Sequence, residues 1–248
     1  MAAASNSTAV ADPFRTRESD HAFFTAMAIV SSVTIAGGFL STFGARLAAG
    51  DAQVPAIIHV HAAVFSAWLA LFVTQSLLVS RGRTSTHKRL GVAGAVLAPI
   101  LLAVALAASI TVTRAGHRGI PGVEFPTPAG FLLLNVNAAL IFFVLFGAAW
   151  YFRHNSQMHK RLMLTSVTGA MVGPGASRLP FASGRTPVIA VLVLAFLFAG
   201  PVYDLLTRRR IHRAYWFAIP VALLGIPPIV GALAETAAWR SIAGWMLR

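Results

Sequence analysis

Long apolar runs separated by short polar words make up most of this 248-residue chain. Seven runs stand out: Ala22–Gly44, Ala56–Ser80, Gly91–Thr113, Ala129–Phe152, Leu162–Ser177, Pro187–Leu205 and Ala214–Ala234. A helix rises about 1.5 Å per residue, so about 20 apolar residues cross the roughly 30 Å hydrocarbon core of a bilayer. The runs therefore predict an all-α fold, a polytopic membrane bundle of seven transmembrane helices. The fifth run is short and interrupted by Gly173, Pro174 and Gly175, and discounting it gives six. Around the bundle (residues 21–235) the pattern predicts a polar cytoplasmic tail (1–20) and an interfacial amphipathic tail (236–248) carrying Trp239, Arg240 and Trp245.

Composition agrees with lipid as the solvent. The chain is 57% hydrophobic and 11% charged, with mean hydropathy +0.73, whereas a soluble domain carries roughly a quarter charged residues. The N-terminal tail lacks the apolar core of a cleavable signal, so the first helix is expected to direct insertion. The absence of cysteine excludes disulfides, thiolate-held clusters and thiolate haem ligation.

A net charge of +13 is of the sign that nucleic acid attracts, but the cations sit in separate loops and form no single basic face. Eleven of the 20 lie in the second, fourth and sixth loops, at 81–89, 153–161 and 208–213. Seven lie in the odd loops and C-terminal tail. By the positive-inside rule the N-terminus is cytoplasmic and the C-terminus periplasmic or extracellular, in a bacterial inner membrane.

One polar word occurs twice. "HKRL" stands at His87–Leu90 and again at His159–Leu162, and the chain's two lysines are one in each copy. Upstream, "HVHAAVFSAW" from His59 aligns with "NVNAALIFFV" from Asn135. Both copies run into small-residue stretches ending in proline. The pattern predicts a parallel repeat of two helical hairpins. Such a repeat places His87 and His159 at equivalent depth, and sets His59 and His61 against Asn135 and Asn137. The Lys and Arg of each copy read as topology signals at helix starts.

The histidines carry most of the candidate chemistry. His59 and His61 are about 200° apart on a helix and cannot both face one site. His61 is followed at seven-residue steps by Trp68 and Gln75, an inward row that can serve a ligand or only hydrogen-bond neighbouring helices. His87 follows "TST" and His159 follows "NSQM", so Thr84 or Ser85, and Asn155 or Ser156, are expected N-caps. A first-turn histidine is favoured as neutral imidazole, the form that binds haem iron, or it is a polar residue at headgroup level. Arg178, after "GPGAS", suits carbonyl capping, an anionic headgroup or a propionate. Asp204 precedes Arg208 by four residues, an order that favours a helical ion pair. No mid-helix lysine is present for a retinal Schiff base, and no nucleophile–base pair is visible to nominate a catalytic residue.

The words "HVHAAVFSAWLALFVTQSLLVSRGRTSTHKRLG", "RAGH", "HKRLMLTSVTGAMVGPGASRL" and "YDLLTRRRIH" resemble an uncharacterised bacterial membrane-protein family, over most of residues 23–215. With no established activity there, the resemblance implies architecture. More distantly, His-bearing hairpins followed by H[KR]RL are similar to haem-handling membrane proteins, the di-haem b-type cytochromes and oxidase assembly factors. That resemblance implies haem b with His87 and His159 as axial ligands, and His61 in a second, incomplete or quinone-related site. It also implies electron transfer, or haem or oxidase handling, with a quinone or a redox partner protein. Asn135 and Asn137, where partner imidazoles are expected, depart from a di-haem pattern. The other expectation is a cofactor-free accessory subunit or small-molecule transporter.

Overall fold

The computed structural model describes residues 18–50, 54–120 and 122–248; the first 17 residues of the expected tail lie outside them. Helix α1 (Glu18–Phe39) runs on through a π-helical turn, Leu40–Gly44, into α2 (Ala45–Ala48). Then come α3 (Ala56–Ser80), α4 (Thr84–Arg114), a two-stranded hairpin of β1 (Gly119–Ile120) and β2 (Val123–Glu124), and α5 (Pro128–Tyr151). The chain continues as α6 (Ser156–Ala170), α7 (Val172–Ala176), α8 (Thr186–Arg208), α9 (Arg213–Leu223), α10 (Pro227–Ala234) and α11 (Ala237–Met246).

Five of these helical segments are long and apolar enough to cross a membrane: Glu18–Ala48, α3, α4, α5 and α8. The pair α9 and α10 makes a sixth if its two arms, bent by 52°, count as one span. The bend falls where Ile226 turns extended before Pro227 and Pro228, because the residue before proline avoids helical geometry. The side chain of Asn137 donates to the carbonyl of Leu224 at 2.7 Å, so α5 caps the carbonyl that the break leaves open.

The fifth run does not form one apolar helix. Helix α6 has 15 residues and carries Gln157, His159, Lys160, Arg161, Thr165, Ser166 and Thr168. It stops at Met171, and α7 restarts at Val172; Pro174, within α7, lacks the N–H that would bond back to the Ala170 carbonyl and continue the ladder. Polar side chains are tolerable here because α6 sits inside the bundle, with Leu162, Val167, Ser166 and Arg161 fully buried.

Polar contacts order the two ends. Asp20 at the start of α1 meets Lys160 of α6 and Arg208 of α8, so these termini gather at the end bearing loops 81–83 and 209–212, the basic end. At the opposite end α1 crosses α7 backbone to backbone. A Cβ on Gly38 would lie 1.9 Å from the Gly175 carbonyl oxygen, a spacing that requires glycine. The core is lined by Trp68, Leu101, Phe142, Leu145, Leu162 and Val167. Large apolar side chains such as Val33, Val96, Val191 and Leu206 point outward, as a lipid-facing surface requires. Helix α11 lies at the opposite end, its Trp239 indole donating to the Ala129 carbonyl at 2.8 Å while Trp245 is exposed.

Candidate functional site

The two "HKRL" histidines meet. Their ring centroids are 6.1 Å apart with planes at 78°. Each occupies the same position in its helix, the first residue whose amide closes the helical ladder: His87 N–H donates to Arg83 O (3.0 Å) and His159 N–H to Asn155 O (2.9 Å). Asn155 caps α6, its side-chain oxygen accepting from the amides of Gln157 and Met158, both at 3.1 Å. The expected counterpart on α4 does not form: the helix begins at Thr84 itself and its N-cap is Arg83, with no side-chain capping bond. His159 Nδ1 lies 2.8 Å from the Ala149 carbonyl. A carbonyl only accepts, so Nδ1 carries the proton and Nε2 keeps the free lone pair. His87 Nδ1 is buried without a hydrogen-bond partner, and the backbone of Gln75 stands beside the ring.

Two imidazoles suit a particular class of metal. A metal bound about 2.0–2.1 Å from a nitrogen on each ring holds the centroids roughly 6 Å apart. Among the described residues no group of three or more His, Cys, Asp or Glu converges, so a tetrahedral protein-ligated site is not built. Haem iron needs only axial ligands from the protein. An orphaned buried nitrogen on His87 and an oriented imidazole at His159 fit that requirement.

The rest of the expected set divides by depth. His61, Trp68 and Gln75 run down α3 over about 21 Å, at 1.5 Å per residue, so His61 stands at the end opposite His87. Gln75 belongs with the histidine pair: a Cβ on Gly91, one turn beyond His87, would lie 3.5 Å from its amide nitrogen. Trp68 packs edge-on to Phe142 and Phe146, at 5.0 and 5.3 Å. His61 Nδ1, Trp68 Nε1 and Gln75 Oε1 are, like His87 Nδ1, buried without partners, as are the hydroxyls of Ser31 and Ser32 on α1. The row is thus a file of unmet hydrogen-bonding groups, each of which costs about 1–3 kcal/mol when left alone. His59 is exposed and lies edge-on to Phe43 at 5.5 Å. His117 is exposed too, its Nδ1 bonded to Val112 O at 3.0 Å.

Arg178 sits at the His61 end, far from the histidine pair. Its guanidinium lies over Phe39 at 4.5 Å and donates to Pro174 O at 2.6 Å. Burial pulls its pKa down to about 10.

Sequence reasoning missed the largest polar feature. Arg161 is fully buried and grips Asp204 with two bonds, Nε to Oδ2 at 2.8 Å and Nη2 to Oδ1 at 2.6 Å. Arg208 reaches the same carboxylate at 3.4 Å, the expected helical pair, but bonds Asp20 more closely, at 2.6 Å. Lys160 and the Tyr203 hydroxyl complete Asp20 at 2.7 and 2.9 Å. The Lys160 and Arg161 of the second "HKRL" therefore make tertiary ion pairs, whereas Lys88 and Arg89 of the first are exposed. Asp20, assigned by the sequence to the polar tail, is buried inside α1.

Comparison with family models, with characterised proteins and with solved structures finds no match to this chain.

Proposed function

We propose that this chain is an inner-membrane protein that holds a b-type haem between His87 and His159, for electron transfer or for haem or oxidase handling. The observation that carries the reading is the 6.1 Å meeting of two histidines from duplicated words, at matched helical positions. Haem bound there would supply one-electron redox chemistry. The chain's own part would be to hold the two imidazoles in place: the Ala149 carbonyl orients the His159 ring, and the Gln75 backbone stands beside His87. The two hairpins α3–α4 and α5–α6 are read as a parallel repeat, with α6 and α7 as a broken seventh crossing. Their combined stretch, residues 156–176, is about 30 Å long at 1.5 Å per residue. The basic end is assigned to the cytoplasm, which puts the C-terminus on the periplasmic or extracellular side. Lipid surrounds the bundle, and a quinone or a redox protein is the electron partner.

His87→Ala and His159→Ala should each abolish haem retention while the protein still inserts. Full haem occupancy in both variants contradicts the assignment. A wild type that is colourless when expressed with ample haem moves the reading to a cofactor-free accessory subunit or small-molecule transporter.

A further inference from the structure

Among the described residues Arg178 has no counter-ion: Asp20, Asp204 and Glu235 are each engaged by other cations. A guanidinium has five N–H donors in a rigid fork, and the bond to Pro174 O uses one. The Phe39 face beneath it offsets only part of the charge. Arg178 is half-buried, and drawing an arginine even partly out of water is costly unless an opposite charge meets it.

Three further features surround that cation. His61 stands at the start of α3, where the neighbouring His59 meets Phe43 of the same α1 turn whose Ser41 contacts the Arg178 carbonyl. Its Nδ1 is buried and unpartnered, and its ring is held by stacking on Phe65 at 4.1 Å. The α1 chain here is the π-helical turn Leu40–Gly44, a form that recurs at functional positions. The Ser41 hydroxyl of that turn lies within hydrogen-bond distance of two carbonyls, Gly38 at 2.8 Å and Arg178 at 2.7 Å, and its single proton, shared or given to the latter, ties the Arg178 backbone to α1. The Gly38–Gly175 crossing locks the same two elements one turn away.

We propose that Arg178 and His61 form a binding site for a singly charged oxyanion, a carboxylate or a phosphodiester, at the end of the bundle opposite the histidine pair. The charge decides the ligand class. A neutral carbonyl, such as that of a quinone, would occupy one donor and leave the guanidinium uncompensated. An oxyanion takes two guanidinium N–H groups in parallel and can accept a third hydrogen bond from a neutral imidazole. The ligand can arrive from water or as the headgroup of an anionic lipid. This site does not depend on haem binding at the other end.

The test uses the full chain in phosphatidylcholine nanodiscs, followed by its thermal unfolding midpoint. Sodium acetate and sodium phosphate are titrated against sodium chloride at equal ionic strength. A parallel sample is exchanged into discs containing phosphatidylglycerol. A ligand that binds only the folded form raises the midpoint, and the site predicts a rise with at least one probe. Response to the free anions alone assigns a soluble ligand; response to phosphatidylglycerol alone assigns a lipid headgroup. Arg178→Gln should weaken the response at least tenfold, and His61→Phe several-fold. Arg178→Lys keeps the charge without the fork and should keep part of it. If Arg178→Gln does not fold, His61→Phe and Arg178→Lys decide. No rise with any probe, or an equal rise in the variants, overturns the site.

Discussion

The same tetrapeptide in two settings allows a direct test of what burial does to a charge. Arg161 and Arg89 hold the same place in their copies of "HKRL", yet Arg161 is 0% exposed and Arg89 is at the surface. Arg161→Ala removes both close bonds to Asp204, at 2.8 and 2.6 Å, and the bond to the Gln157 side chain at 2.7 Å. Asp204 then keeps the longer contact to Arg208, 3.4 Å, and the His212 amide at 3.3 Å. Breaking a buried pair by removing one partner typically costs about 3–5 kcal/mol. A surface truncation away from such a network stays within about 0.5 kcal/mol, which is the expectation for Arg89→Ala. Reversible unfolding in mixed micelles of rising SDS fraction measures both variants on one scale. Replacing the pair together, Arg161→Met with Asp204→Leu, should recover most of the loss, because burying two apolar groups avoids the desolvation that the ions incur. Equal stabilities for Arg161→Ala and Arg89→Ala would refute the argument that the second copy is a tertiary network.

Other consequences follow from single contacts. Gly38→Ala should destabilise by about 3 kcal/mol, near the upper end of ordinary overpacking, because the new methyl meets backbone at 1.9 Å; a loss under about 1 kcal/mol in the same unfolding assay would mean α1 and α7 can part freely. Trp68→Phe should be neutral or stabilising, since it removes an unpartnered buried N–H and keeps the aromatic packing, whereas Trp68→Ala should cost about 3–5 kcal/mol. The comparison fails if Trp68→Phe costs as much as Trp68→Ala, which would give the indole N–H a partner. Asn155→Ala should cost roughly 0.5–2 kcal/mol through loss of the α6 cap, and Thr84→Ala much less, because Thr84 makes no capping bond.

Burial along the chain axis was legible in the sequence, and burial between distant segments was not. Hydropathy located α1, α3, α4, α5 and α8, since each must satisfy its backbone internally and present apolar side chains to lipid. It also flagged the weak fifth run, where Gly173, Pro174 and Gly175 fall in α7, just after the break at Met171. The bend between α9 and α10 had a visible signal in Gly225, Pro227 and Pro228, but an apolar window averages across it. Placing His87 and His159 at one depth required only the repeat, and their rings do meet. Separating His61 from them followed from helical rise. The Arg161–Asp204 pair joins residues 43 apart, and no periodicity connects such positions. In sequence, a cation destined for the core looks like one that orients a loop.

The measurement that bears most directly on the central proposal is an optical spectrum of the protein purified in mild detergent, oxidised and then dithionite-reduced, with metal analysis on the same sample. A b-type haem held by His87 and His159 predicts a Soret band, α and β bands that sharpen on reduction, and iron near one per chain. A featureless spectrum without iron, from a well-folded sample expressed with ample haem, contradicts it and leaves the histidine pair as an edge-on packing contact between two helix starts.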